Sequence, residues 1–260
     1  MKVVILCGGL GTRLREETEF RPKPMVNIGT RPILWHIMKI YAHYGLMDFV
    51  LALGYKGEMI KEYFYHYEIM NNDVTINLGV PESYLLHQCH NEAGWRVTLA
   101  NTGNNSLKGS RLKQVEKYID SDIFLLTYGD GVADIDINEL IKFHKSHGKM
   151  VTLTGVNPAA RFGELVVDGD QVTAFFEKPE DSSGTLISGG FFVVNRKIFD
   201  YLTEDEDCDL EHGPLERIAA EGQLMVYKHK GFWACMDTLR DMDYLNGLWK
   251  IGKAQWKCWN

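Results

Sequence analysis

The chain has 260 residues, 45% of them hydrophobic and 12% aromatic, which is enough to bury a sizeable core in one large domain. A formal net charge of −7 and a pI near 5.7 argue against duplex nucleic acid, which demands a basic face, but leave room for a small anionic substrate held by a local cluster of Arg and Lys. Cys7, Cys89, Cys208, Cys235 and Cys258 are scattered without a C-x-x-C pair, no H-E-x-x-H occurs, and no apolar run reaches about 18 residues, so disulfide frameworks, zinc sites and membrane spans are disfavoured. The N-terminus reads as a strand and not as a secretory signal, so a reducing cytoplasm is the expected location.

Lys2–Leu6 predicts a buried strand that runs into Leu6-Cys7-Gly8-Gly9-Leu10-Gly11-Thr12-Arg13-Leu14. Gly8, Gly9 and Gly11 lack a Cβ, so the backbone can take φ > 0 and bring its N–H groups close to an anion. Arg13 adds a planar donor fork. Lys23 follows on Arg21-Pro22-Lys23-Pro24-Met25, a stretch stiffened by two prolines. The turn is not a G-x-x-x-x-G-K-[ST] loop, because no Lys follows Gly11. It is not G-x-G-x-x-G either, because Leu14 stands where the third glycine belongs. It reads as a cradle for polyphosphate.

Helical apolar spacing over Ile33–Tyr44, after Pro32, precedes a strand at Asp48–Leu53 and a helix at Glu58–Tyr67. Residues 68–96 lack clear periodicity and are expected to form an extended excursion, either a lid or an oligomer contact. A strand at Val97–Ala100, a helix at Leu112–Tyr118, a strand at Ile123–Thr127, a helix at Ile137–His147 and a strand at Met150–Val156 follow. This alternation predicts an α/β fold with a mostly parallel sheet flanked by helices, with ligands beyond the carboxyl ends of the strands. After about residue 160 the pattern becomes α+β. Strands are expected at Glu164–Val167, Val172–Glu177, Ser188–Val194 and Leu224–His229, with a helix near Gly213–Glu221 and a last one near Thr238–Ile251.

Several positions carry chemistry. Asp130, between Gly129 and Gly131 at a strand end, suits Mg²⁺ beside phosphates, or is an Asp-Gly turn. Glu177 and Lys178 can meet hydroxyls and a second phosphate, or are a solvated strand end. Asp237 is either a helix N-cap or a second Mg²⁺ ligand. Thr102-Gly103 and Lys108-Gly109-Ser110-Arg111 form a small polar loop that can read a base edge, or a helix entry with Ser110 as N-cap. Gly189-Gly190 admits a close approach or marks a bulge.

These residues together resemble the sugar-1-phosphate nucleotidyltransferases. The matching stretches are LCGGLGTRL (6–14), RPKPMV (21–26), LLTYGDG (125–131), FFEKP (175–179), SGGFFV (188–193) and FWACMDT (232–238). They occur in the family's order and span almost the whole chain. PILWHIMK (32–39), TYGDGVADID (127–136) and Thr102-Gly103 are similar to the members that transfer a cytidylyl group to glucose 1-phosphate. The chain departs from the family at Cys7, where Ala is usual, and at Lys108-Gly109-Ser110-Arg111, where Thr-Gly-Gly-Arg is usual.

The resemblance implies a Rossmann-like mixed sheet of the nucleotide-diphospho-sugar transferase type in a single domain, residues 1–260. Residues 1–150 would form a nucleotide-binding half and 151–260 a sugar-binding half. It implies in-line attack of a sugar 1-phosphate on the α-phosphate of CTP. Leu6, Gly8, Gly9, Gly11, Thr12, Arg13, Lys23, Thr102, Arg111 and Tyr128 would hold the nucleotide, with Arg13, Lys23 and Asp130 acting in catalysis. Gly163, Glu177, Lys178 and Gly190 would hold the sugar phosphate, and Asp130 and Asp237 would hold Mg²⁺. A homo-oligomer is implied, a hexamer by the members it resembles most, with a role in deoxysugar and surface polysaccharide (O-antigen) synthesis.

Overall fold

The computed structural model describes residues 1–80, 83–87, 90–157, 164–168, 171–176 and 186–259. Val3-Val4-Ile5-Leu6-Cys7 is apolar at every position, as a strand covered on both faces must be, and it forms the central strand β1 (Val3–Cys7). A turn at Thr12–Leu14 leads through α1 (Arg15–Thr18) to the small ribbon β2 (Asn27–Ile28) and β3 (Arg31–Pro32). Next come α2 (Ile33–His43), β4 (Asp48–Leu53), α3 (Gly57–Tyr65) and α4 (Tyr67–Asn71). The excursion expected over 68–96 holds a second ribbon, β5 (Val74–Ile76) with β6 (Tyr84–Leu86), before the chain returns as β7 (Arg96–Asn101). Then follow α5 (Lys108–Gln114), β8 (Ile123–Tyr128), β9 (Gly131–Ala133), α6 (Ile137–His147) and β10 (Val151–Val156). The hairpin β11 (Glu164–Asp168) with β12 (Gln171–Phe176) precedes the long β13 (Ile187–Asn195). The chain closes with α7 (Glu216–Ala220), β14 (Leu224–His229), β15 (Trp233–Cys235) and α8 (Leu239–Lys250).

The main sheet has seven strands in the order β14-β10-β13-β8-β1-β4-β7. The pairs β8/β1, β1/β4, β4/β7 and β10/β14 are parallel, whereas β13 runs antiparallel to both β8 and β10. The mixed sheet is therefore continuous from the first half of the chain into the second. Side chains alternate between its faces. Val3, Ile5 and Cys7 pack towards α2, and Val4 and Leu6 pack towards Leu112 of α5 and Phe199. Among the described residues no helix is long and apolar enough to cross a membrane.

The structure revises two helices. The one expected at Leu112–Tyr118 begins earlier, at Lys108, and gives way after Gln114 to a 3-10 turn over Glu116–Tyr118. The segment expected as one helix near Gly213–Glu221 breaks at His212 and Gly213 (φ 99°), and only Glu216–Ala220 is regular. Pro214 and a glycine in the left-handed region both oppose a continuous helix there.

The C-terminal tail docks beside α2. Buried His36 receives a hydrogen bond from Trp256 Nε1 on Nδ1 (3.4 Å) and shares one through Nε2 with the Ile28 carbonyl (3.0 Å). Both ring nitrogens are satisfied with the ring neutral, and burial pushes the imidazole down to about 4.

Candidate active site

The carboxyl ends of β1 and β8 open into a cavity of 1170 Å³, lined by the glycine-rich loop, Lys23, Arg111, Tyr128, Asp130, Gly190 and Asp237. The loop's three glycines serve different purposes. Gly11 takes the left-handed conformation (φ 64°), and its carbonyl accepts from Leu14 N (2.9 Å) and Thr18 Oγ1 (3.0 Å). Gly8 is required for space, because a Cβ there would enter the Arg111 guanidinium, whereas one at Gly9 would meet open space. Positive φ, expected as an option at all three, is used at Gly11 alone.

Lys23 is the hub of the site. Its ammonium donates to Asp130 Oδ2 (2.7 Å) and to Asp237 Oδ1, partners 107 and 214 positions away along the chain. Burial works against its charge, but Asp130 and Asp237 outweigh it and hold the ammonium above the usual lysine range. Each partner is placed by its own strand end. Asp130 follows β8, and Gly129 allows the turn, since a Cβ there would lie 2.9 Å from the Leu6 carbonyl oxygen and from Pro24. Met236 N donates to the Asp130 carbonyl (2.8 Å), so the β9/β15 ribbon ties the two acids together. Arg13, largely exposed, pairs with Asp237 Oδ2 at 2.8 Å.

The alternative role for Asp237 as a helix cap is excluded. Thr238 is the N-cap of α8 and forms a reciprocal capping box with Asp241. The side chain of Asp237 turns instead to Lys23 and Arg13.

The donor set fits a hard divalent cation. Two carboxylates share the Lys23 ammonium, with Arg13 on the second oxygen of Asp237, and Mg²⁺ is commonly held by one or two carboxylates completed by water and substrate phosphates. Among the described residues no group of three or more His, Cys, Asp and Glu is placed to hold a metal by itself. A cation held there would take its remaining ligands from water or substrate phosphates.

Arg111 and Thr102 are arranged differently. Arg111, only 3% exposed, donates to the carbonyls of Leu53, Gly8, Gly103 and Asn104 and to Thr102 Oγ1. It thereby joins the ends of β1, β4 and β7. Thr102 is fully buried, and its hydroxyl donates to the Leu53 carbonyl (2.7 Å), so it lies behind the cavity wall. Ser110 is not the N-cap of α5; that position is Leu107, and Ser110 Oγ donates to the Glu204 carbonyl (2.9 Å).

Gly190 (φ 79°) seats the Tyr128 ring, which lies 2.9 Å from where a Cβ would stand. The β10/β13 register shifts between Leu153 and Gly155, so the glycine pair marks a bulge as well as a close approach. Gly163, Glu177 and Lys178 lie outside the described residues.

Lys108, named in sequence only as part of the 108–111 loop, gains a specific place here, and Glu211 escapes the sequence reading altogether. Lys108 lines the cavity, and its ammonium pairs with Glu211 Oε1 and lies 5.2 Å from the centre of the Tyr128 ring. Glu211 Oε1 also accepts from the Tyr128 hydroxyl (2.5 Å). Lys108 stands in the sequence as a departure from Thr-Gly-Gly-Arg, but nothing near Glu211 announces it.

The comparisons with known proteins agree with this geometry. Residues 2–249 match the family model described as nucleotidyl transferase. The glucose-1-phosphate cytidylyltransferases of Salmonella typhi and Salmonella typhimurium are each 51% identical to the chain over 260 residues, covering 100% of both sequences. A crystal structure of a UDP-glucose pyrophosphorylase complexed with UDP-glucose superposes with a TM-score of 0.68 at 14% identity, over 96% of this chain and 98% of that one. A match across nearly the whole chain, joined to a phosphate loop, a half-buried lysine and two acids at one sheet rim, makes the chain a member of the nucleotidyl transferase family.

Proposed function

We propose that the protein transfers a cytidylyl group from CTP to α-D-glucose 1-phosphate, giving CDP-glucose and pyrophosphate. The observation that carries this reading is the convergence of Lys23, Asp130 and Asp237 beside the glycine-rich loop. The two cytidylyltransferases at 51% identity supply the substrates. An anionic oxygen of the sugar phosphate attacks the α-phosphorus in line. A new P–O bond forms as the bond to the β-phosphate bridging oxygen breaks, and its electron pair leaves with pyrophosphate. No proton has to move and no covalent enzyme intermediate is needed, so catalysis is positioning and charge stabilisation.

In this reading the Gly8–Arg13 loop cradles the triphosphate and Arg13 steadies the departing pyrophosphate. Lys23 meets the charge that grows on the α-phosphate, exchanging a carboxylate partner for phosphate. Asp130 and Asp237 hold Mg²⁺, which supplies charge neutralisation at the phosphates when bound. Glu177, Lys178, Gly163 and Gly190 serve the sugar phosphate, and residues 151–260 form the sugar half opposite a nucleotide half over 1–150. Thr102 supports the nucleotide wall from behind. The enzyme works in the cytoplasm as a homo-oligomer, a hexamer in the fullest form of the proposal, and supplies deoxysugar synthesis for surface polysaccharide.

The test is pyrophosphate release from glucose 1-phosphate with Mg²⁺ and each common nucleoside triphosphate in turn. CTP is expected to exceed all others. Release confined to UTP or dTTP would keep the chemistry and reject the base, and silence with every pair would reject glucose 1-phosphate as acceptor. Light scattering on the purified protein checks the hexamer.

A further inference from the structure

Lys108 belongs to no part of the phosphate machinery, yet its ammonium is fixed on the cavity wall. Three features hold it. Glu211 Oε1 takes both the Lys108 ammonium and the Tyr128 hydroxyl, so the carboxylate is itself anchored. The Tyr128 ring lies beneath the ammonium at 5.2 Å, a cation–π distance. The break at His212 and Gly213 (φ 99°) follows directly on Glu211. Burial and the neighbouring Glu211 both push the Tyr128 phenol up, so it remains a donor. Glu211 Oε2 is buried with no hydrogen-bond partner among the described residues, and the Asp209 carboxyl lies beside Glu211.

An ordinary exposed Lys–Glu pair needs none of this. An ammonium has three donors, and Glu211 occupies one. The Lys108 side chain lines the cavity and remains 44% exposed, so donors are left for a ligand. Its place along the cavity identifies which part of the ligand. Lys108 shares the first turn of α5 with Arg111, which grips the Gly8 carbonyl at the start of the loop. Lys23 and Asp237 are grouped instead with Arg13.

We propose that Lys108, positioned by Glu211 and Tyr128, is a further nucleotide-binding residue that donates to an acceptor atom on the nucleoside end of the triphosphate. The proposal rests on the nucleotidyl transfer reading above. It makes Glu211 a positioning residue, acting through Lys108.

The experiment is calorimetric titration of the full-length protein with CMP, CDP and CTP, for wild type, Lys108→Met, Lys108→Arg, Glu211→Gln and the Lys108→Met/Glu211→Gln pair. Lys108→Met is expected to weaken all three nucleotides by the same factor, about tenfold for one lost charge-assisted hydrogen bond. Lys108→Arg should restore most of the affinity. Glu211→Gln should weaken binding about threefold alone and add nothing to Lys108→Met. In turnover, KM for the nucleotide should rise, while kcat and KM for the sugar phosphate stay within about twofold. Unchanged affinity in Lys108→Met, a loss that grows from CMP to CTP, or additive effects of the two substitutions would each overturn the proposal. Binding needs no turnover, and the series is run with the nucleotides of whichever base supports pyrophosphate release, so failure of the CTP assignment is a separate result.

Discussion

Lys23, half-buried, and Arg111, buried, are two cations on the rim of one sheet, held by opposite kinds of partner. Lys23 faces two carboxylates, and their charge holds its ammonium above the usual lysine range despite burial. Among the described residues Arg111 donates to carbonyls and a hydroxyl, and burial pushes its guanidinium below the usual arginine range. The first arrangement is a balanced set of side-chain charges, Lys23 and Arg13 against Asp130 and Asp237. A triphosphate with a cation can replace its parts without leaving a charge unpaired. The second is a clamp whose acceptors are backbone, so releasing it strands buried carbonyls at three strand ends. Chemistry is thus expected at the carboxylate-paired cation and architecture at the carbonyl-paired one, although the two residue types look alike in sequence.

The largest expected effect tests the charged side of this contrast. Asp237→Asn should lower turnover about a thousandfold, the scale of losing a key charge partner in a phosphoryl site, with the melting temperature nearly unchanged. A large fall in melting temperature at normal rate would instead make Asp237 architectural. On the neutral side, Arg111→Met should destabilise the fold by about 3 kcal/mol in urea titration, because several buried acceptors lose their donor. If stability survived and only nucleotide affinity fell, Arg111 would be a ligand cation and the contrast would break.

His36 carries the neutral-partner rule to a group that titrates. Its folded value is depressed to about 4, so the unfolded chain takes up a proton near pH 6.5 that the folded one refuses. Stability is therefore whole above about pH 6.5 and falls as pH drops towards 4, by roughly 3 kcal/mol in total. His144, likewise pushed to about 4 by burial and by His147, steepens the same fall. Urea midpoints across pH 4 to 7 measure the slope, and His36→Gln should make it about half as steep. The smallest effect sharpens the contrast between neighbours. Thr238→Ala removes the cap of α8 and should cost about 1 kcal/mol while turnover stays within twofold. Equal damage to rate from Thr238→Ala and Asp237→Asn would mean that the two side chains act as one unit.

Strands and long helices were legible because apolar periodicity is a local property. Val3–Cys7, Asp48–Leu53 and Ile137–His147 match their expected spans within a residue. The start of α5 at Lys108 and the break at His212 and Gly213 were not, because tertiary contacts and not propensity decide where those helices begin. The loop glycines and Lys23 could be singled out from residue type and spacing. Glu211 could not, since an acid in a polar stretch of sequence has no pattern of its own.

By itself the sequence determined the alternating α/β order, the phosphate loop and the acids and bases able to serve it, because these follow from short-range patterns and side-chain chemistry. Only the tertiary structure decided which of them share a charge. It joined Lys23 to residues 107 and 214 positions away, and it turned Asp237 from a possible cap into a partner of Lys23. It also gave Arg111 to the backbone and set Lys108 beside Glu211. The reason is physical. Charge pairing and burial depend on distances through space, and strand order in the sheet sets those distances between segments that the chain itself keeps far apart.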